Sequence, residues 1–364
     1  MKDESPIILT LDAGGTNFCF SAMQNGDQIG EAIVIPAESV NLEKCLETIK
    51  NGFEQLRSSL MDAPKAISFG FPGPADYKNG IIGDLPNLPA FRGGVALGPF
   101  LEEHFKIPVY INNDGDLFAL GESESGFLPF VNGLLEKEGF ERKYKNLIGI
   151  TLGTGFGVGI SIKGNLIVGD NNAAAEGWLL RNKQYSYSFI EDTVSIKAVR
   201  RIYAEQIAMD PAQAPQPNEI FDIATGKKEG VQPAAIETYL RYGDALGDAI
   251  ASILTLIDGV VVIGGGVSGA YPLFSRSMLD ELNGFYNTLN GSRIKRLIQQ
   301  VYNLENEWDL KQFLNSSEEL ISVPNSTKKV LYHKEKKTPI GLSKLGTNNA
   351  ISKGAYYFAI QQLK

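Results

Sequence analysis

Apolar residues recur along this chain in two rhythms. Leu42, Leu46, Ile49, Phe53 and Leu56 fall three or four residues apart, which puts them on one face of a helix. The stretch LTLDAGGTNFCF, Leu9 to Phe20, instead has a short apolar run, an acid, two glycines, a threonine and an asparagine before a second alternating run. That pattern predicts strand, tight turn, strand. NLIGITLGTGFGVGISIKG, Asn146 to Gly164, repeats it with Thr154 between glycines. Two such units so far apart suggest two similar lobes.

The other elements alternate in kind. KAISFGFPGPAD reads as a strand ending in a Pro/Gly turn, GVALGPFLEEHF as a short helix, and IPVYINNDGDLFALGE as a strand entering a helix after Asp114. FIEDTVSIKAVRRIYAEQIA, YLRYGDALGDAIASILTLID and NNAISKGAYYFAIQQL read as helices, and GVVVIGGGVSG as a strand with a glycine turn. The segment 303–345 reads as polar and irregular, and its lysines from Lys334 to Lys337 as a solvated face. Short strands alternating with helices predict an α/β layered fold.

Adjacent glycines let backbone N–H groups converge and a ligand approach closely, which is how chains hold phosphate. The usual phosphate loop carries a lysine and leads into a helix. Here there is no lysine, and FCFSAM continues as a strand. A phosphate site here would rest on backbone, Thr16 and a metal near Asp12; an ordinary hairpin turn is the other reading. In VVVIGGGVSG, Gly264, Gly266 and Gly269 fit the dinucleotide spacing. That fold needs an acid about 20 residues on, at the end of a second strand. The chain there reads LNGFYNTLNG, and the nearby Asp280 and Glu281 fall on a predicted helix. A glycine turn against an adenosine or its α-phosphate accords better with the two other turns.

Composition narrows the classes. A length of 364 residues suggests two domains, and 43% hydrophobic residues supply a core. No run reaches the ~18 apolar residues of a membrane helix, and MKDESPIIL does not read as a secretory signal. A net charge of −8 argues against a nucleic-acid partner. The first glycine turn starts so early that no N-terminal DNA-binding module is expected. Cys19 and Cys45 read as free thiols in a reducing cytoplasm. With only His104 and His333 besides, no metal-ligand spacing exists and no structural zinc is expected.

With three glycine turns in order, the chain resembles the sugar kinase, hexokinase and actin-like ATPase superfamily. Within it, the resemblance is to the ROK family (repressors, open reading frames and sugar kinases). LDAGGTN is similar to its first phosphate motif, and FGFPGPAD with DLPNLPAFRG to its stretches beside the sugar. NNDGDLFALGE resembles its Asn-Asp-Ala-Asn-x-x-Ala-x-Gly-Glu motif, TLGTGFGVGI the second phosphate motif and VIGGGVSG the adenosine motif. FIEDTVSIKA resembles the stretch after the family's zinc loop. The resemblance implies an α/β, two-lobed actin-like ATPase (ribonuclease H-like) fold with a central cleft. The expected lobes are 1–118 and 119–345, with a helix at 346–364 that packs back on the first.

It also implies ATP-dependent phosphorylation of a hexose or hexose derivative, glucokinase-like, with Mg2+. Asp114 would be the general base, and Asn87, Asn113, Asp114, Glu176 and Glu191 would contact the sugar. Gly14, Gly15, Thr16, Asn17, Thr154, Gly155, Gly265, Gly266 and Val267 would hold the nucleotide, and Asp12 the magnesium through water. Read without the family, Asp114 is a helix N-cap and Glu176 and Glu191 are surface charges. Asp116 reads as a first-turn acid favoured by the helix dipole. The family's zinc loop is missing: AAAEGWLLRNKQYSYSFIED has no cysteine or histidine, and Trp178 stands where the family has a histidine. Trp178, Tyr185 and Tyr187 are expected to fill that volume by packing. The alternative function is a sugar-binding regulator that kept the fold without the reaction. The family often forms dimers, but no interface is legible here.

Overall fold

The computed structural model describes residues 5–13, 17–37, 41–71, 73, 75–83, 91–316 and 318–364. They form two compact units: 1–129 with 158–175 and 343–364, and 130–157 with 176–342.

The first unit begins with strands β1 (Ile8–Ala13), β2 (Asn17–Gln24) and β3 (Asp27–Pro36), joined as an antiparallel meander. Helix α1 (Leu42–Ser58) comes next, started by Asn41, whose side chain accepts from the Lys44 N–H at 3.0 Å. Then come β4 (Ala66–Gly70), the two-residue strands β5 (Ala75–Asp76) and β6 (Ile81–Ile82), α2 (Leu97–Phe105), β7 (Val109–Asn112) and α3 (Asp114–Glu124). The sheet order is β3-β2-β1-β4-β7, and the β1/β4 and β4/β7 pairs are parallel. Strand alternation divides the core. Leu9, Leu11, Phe20 and Phe69 join Cys45, Ile49, Phe53 and Leu56 of α1, while Ile8, Met23 and Ala66 lie with Tyr356 and Ala359. Phe53 is the hub of the first cluster, with Phe20, Phe69 and Phe105 rings 5.0–6.1 Å from its own. Cys19 and Cys45 are free thiols.

The chain leaves this unit within α4 (Phe127–Lys137). The second unit opens with β8 (Asn146–Leu152), and the chain returns to the first inside β9 (Phe156–Ile162), which pairs with β10 (Asn165–Leu166). Next come α5 (Ile196–Gln206), α6 (Pro217–Ala224), α7 (Gln232–Leu256), β11 (Val260–Gly264), α8 (Tyr271–Leu282), and the hairpin of β12 (Phe285–Asn287) and β13 (Arg293–Lys295). Then β14 (Gln300–Asn303) leads to α9 (Glu307–Leu314), a second hairpin of β15 (Glu318–Ser322) and β16 (Lys329–His333), and β17 (Lys337–Leu342). Strands β8, β11, β17 and β14 lie side by side, all parallel. Among the described residues no helix is long and apolar enough to cross a membrane.

Three expectations are corrected. FIEDTVS is not helical: Ile190–Asp192 is a single 3-10 turn, and α5 begins only after Ser195, whose hydroxyl caps the Ala198 N–H at 3.2 Å. The segment 303–345 is not irregular, because it contains α9, the second hairpin and a central strand. β17, KTPIGL, escapes a propensity reading because it holds a lysine, a proline and a glycine. Nor is Lys337 solvated. It is 8% exposed, and its ammonium donates to the carbonyls of Gln312, Phe313 and Asn315 at 2.7–3.1 Å, closing the end of α9. Lys334 does lie at the surface, paired with Glu319.

The chain re-enters the first unit at Ser343 and ends in α10 (Thr347–Gln362), which packs on α3, β4 and β1. The two helices meet backbone to backbone. A Cβ on Gly354 would overlap the Leu117 carbonyl, and one on Gly121 the Ala350 carbonyl. Glu122, fully buried on α3, fastens the flanking chain. Its carboxylate accepts from the Phe127 N–H at 2.7 Å, the Ser343 hydroxyl, and the Lys344 and Leu345 N–H groups. Burial pushes its pKa up while these donors pull it down. Gly354→Ala is therefore expected to cost ~2–4 kcal/mol in urea unfolding. Gly133→Ala, within α4 where a Cβ meets nothing, should be neutral or stabilising by up to ~1 kcal/mol. Equal stability of the two variants would show that α3 and α10 do not meet this closely.

Candidate active site

Three neighbouring strands, β1, β4 and β7, end near one another in the first unit and deliver Asp12, Gly70 and Asn112. Beyond β7 the chain turns into α3, and the cap of that helix is Asn113. Its Oδ1 accepts from the Gly115 N–H at 2.7 Å, and its Nδ2 donates to the Tyr77 hydroxyl at 3.3 Å. Tyr77 donates in turn to the Phe71 carbonyl at 3.0 Å. The capping role weighed for Asp114 thus belongs to Asn113. Asp114 is the first helical residue, and its carboxylate is free of that duty.

The Asp114 carboxylate lies over Gly70, where a Cβ would collide with Oδ1. Loss of water pushes its pKa up to about 7, and the nearby charge of Asp12 adds to the rise. Asp12 is also raised, by burial. Among the described residues neither carboxylate has an ion-pair partner. Asp116, in the same first turn, is buried. Asn17 begins β2 and is exposed. Gly14, Gly15, Thr16 and Asn87 lie outside the described residues.

The second unit carries the other predicted residues. Gly153, Thr154 and Gly155 link β8 to β9, with the Gly153 N–H donating to the Gly155 carbonyl at 3.0 Å and Thr154 exposed. Glu191 rests against this turn. Its Oε2 accepts from the Phe156 N–H at 2.9 Å, and a Cβ on Gly155 would strike it. The Ile196 N–H donates to the Gly153 carbonyl at 2.9 Å, so the start of α5 is tied to the same turn. Glu176 accepts from the Trp178 indole N–H, and Trp178 stands edge-on to Phe189 at 5.7 Å.

After β11, the Gly265 backbone runs against Leu152 so closely that a Cβ would overlap it, whereas Gly266 faces open space. Val267 is buried.

One packing expectation fails in part. Tyr187 is 89% exposed and fills no volume. Tyr185 is held by a 3.1 Å bond from Arg241 and by the Arg201 guanidinium over its ring. Tyr77 and Asn182 were not singled out in the sequence. Nothing in the residues around either marks it, because each acts through contacts made by the folded chain.

The ROK family matches residues 8–302. The chain belongs to the ROK family. A glucokinase structure from Parabacteroides distasonis is 48% identical, covers 99% of this chain and 98% of its own, and superposes with a TM-score of 0.87. A glucokinase from Thermotoga maritima is 24% identical over 72% of this chain and 83% of its own length. An N-acetyl-D-glucosamine kinase from Vibrio cholerae is 26% identical over 74% of this chain and 86% of its own. The fold is that of the family's sugar kinases, the two-lobed α/β actin-like ATPase fold.

The raised pKa of Asp114 has a stability consequence. Its folded value, about 7, lies above the ordinary 3.8, so ionising it in the fold is unfavourable. The stability that the neutral acid contributes is complete below about pH 4 and is lost as pH rises through 7. Asp114→Asn stays neutral and caps nothing. It should gain on wild type between pH 4 and pH 8, by about 1–3 kcal/mol at the upper end after screening, read from urea midpoints. A difference that does not widen with pH would contradict burial of this carboxylate.

Proposed function

We propose that this chain transfers the γ-phosphoryl group of ATP to a hydroxyl of a hexose or hexose derivative. It is an ATP-dependent sugar kinase, glucokinase-like in type. The observation that carries this reading is the Asp114 carboxylate, set over Gly70 with a pKa near neutrality and left out of helix capping. A general base works best when its pKa lies near the operating pH. Asp114 takes the hydroxyl proton on a carboxylate oxygen as the sugar oxygen attacks the γ-phosphorus and the bond to ADP breaks. Glu176 and Glu191 accept sugar hydroxyls, since one carboxylate can take two. Asn113 and Asn87 are proposed sugar contacts as well.

The backbone N–H groups of the glycine turns cradle the phosphates, helped by Thr16 and Thr154, while Asn17, Gly265, Gly266 and Val267 serve the nucleotide. Magnesium fits the first unit, because Asp12 is a part-buried carboxylate with no cationic partner among the described residues and would hold the ion through water. When bound, the ion supplies positive charge to the phosphate oxygens. A sugar-binding regulator would need Glu176 and Glu191 but no base. In that reading the unfavourable burial of Asp114 has no return.

Sugar-dependent ADP release should appear in a coupled assay over hexoses, amino sugars and N-acetylated sugars, with D-glucose and N-acetyl-D-glucosamine tried first. Asp114→Asn should lower kcat by about 10²–10⁴-fold while sugar binding by calorimetry persists. Near wild-type turnover would remove Asp114 from the role of base. Because the ionised form is the base, kcat/KM should fall about tenfold per unit as pH drops below about 7.

Zinc is not part of the proposal. Among the described residues no group of three or more His, Cys, Asp or Glu side chains is arranged to hold a metal. Elemental analysis of the purified protein should find well under one zinc per chain. A stoichiometric, chelator-resistant zinc would overturn that assignment.

A further inference from the structure

The loop between Glu176 and Glu191 contains no cysteine or histidine, yet it is closed around one buried side chain. Asn182 is 1% exposed and uses its whole hydrogen-bonding capacity. Its Nδ2 donates to the Phe189 carbonyl at 3.1 Å and to the Thr193 hydroxyl at 2.5 Å. Its Oδ1 accepts from the Gln184 and Tyr185 N–H groups at 2.9 and 3.1 Å. Only this orientation of the amide matches donors to acceptors at all four contacts. The main chain draws together around it, with the Asn182 N–H donating to the Ser188 carbonyl at 3.0 Å and the Ile190 N–H to the Leu180 carbonyl at 2.8 Å. Thr193, its hydroxyl partner, is fully buried.

Both carboxylates at the loop's ends are reached through this knot. Phe189, held by its carbonyl, makes a T-shaped contact with Trp178, and Trp178 donates to Glu176. Thr193 lies two residues past Glu191. The Glu191 carbonyl accepts from Ser195 at 2.8 Å, and its carboxylate receives the Phe156 N–H of the glycine turn. An amide with two donors and two acceptors thus fixes four points of one loop.

We propose that Asn182 is a positioning residue of the sugar site, closing the 180–193 loop so that Glu176 and Glu191 are held for the sugar hydroxyls. The proposal rests on the sugar-kinase reading, and its test separates the two. A loop that must be ordered by the ligand weakens binding of that ligand, and saturating ligand restores the order. Asn182→Ala should therefore raise the KM for D-glucose, or for N-acetyl-D-glucosamine if it is the better substrate, by about tenfold, with kcat per active site within about threefold. Thr193→Val removes one of the four bonds without changing volume and should raise KM about three- to tenfold, while Thr193→Ser restores it. A purely structural role would reduce the active fraction and leave KM unchanged.

Hydrogen–deuterium exchange without sugar gives a second readout. Amides 182–193 should exchange at least about tenfold faster in Asn182→Ala and Thr193→Val, while those of β8 and β11 keep their protection. If Asn182→Ala does not fold, Thr193→Val decides. Wild-type KM and wild-type exchange in the folded variants would overturn the proposal. A wild type that releases no ADP with any sugar of the panel would instead overturn the kinase reading, and the exchange arm would still decide whether this amide closes the loop.

Discussion

The contact on which the first unit depends is the backbone approach of α3 and α10. Gly121 and Gly354 let each helix rest on a carbonyl of the other, a spacing that no larger residue permits at either position. Packing this dense transmits displacement instead of absorbing it. The residue at the start of α3 is Asp114, so the helix that presents this carboxylate is fixed along its length by a segment more than 200 residues away. Glu122 secures the last turn of the same helix, joining it to the start of α4 and to the chain entering α10.

The acids of the molecule fall into different electrostatic classes. Glu122 is fully buried but surrounded by four donors, the condition under which a buried carboxylate becomes a structural clamp. Glu191 accepts one backbone N–H and keeps spare lone pairs. Asp12 and Asp114 are both raised by burial, and the charge of the first raises the second further. A fold that leaves two such groups close together bears a standing cost, a pattern typical of sites where chemistry takes place.

Much of this was legible in the residues, for definite reasons. The helical spacing from Leu42 to Leu56 gives α1, and two of the glycine turns mark where β1 and β8 end. The resemblance set Asp114 apart from its neighbours, but the residues alone could not tell that Asn113 takes the cap. Elsewhere local chemistry pointed away from the outcome. β17 sits between β11 and β14 despite Lys337 and Pro339, because tertiary pairing overrides propensity. The seven residues before α5 carry a helical rhythm, yet Ser195 caps the helix after them. Asn182 resembles any polar loop residue until the chain closes over it. A satisfied buried amide leaves no periodicity, charge pattern or spacing to read.

The connection of the first unit to residues 343–364 also bears on the order in which structure can form. A growing chain tends to fold N-terminal parts first. Here β1, β4 and α3 lack a whole helix of their core until α10 is available, and the Ser5 and Tyr356 hydroxyls, 3.0 Å apart, meet only then. Residues 176–342, by contrast, form an uninterrupted stretch that holds most of the second unit. Ribosomal synthesis would thus leave Ile8, Met23 and Ala66 uncovered while the second unit gathers its parallel strands. The half bearing Asp114 therefore completes its core only once the last helix has been made.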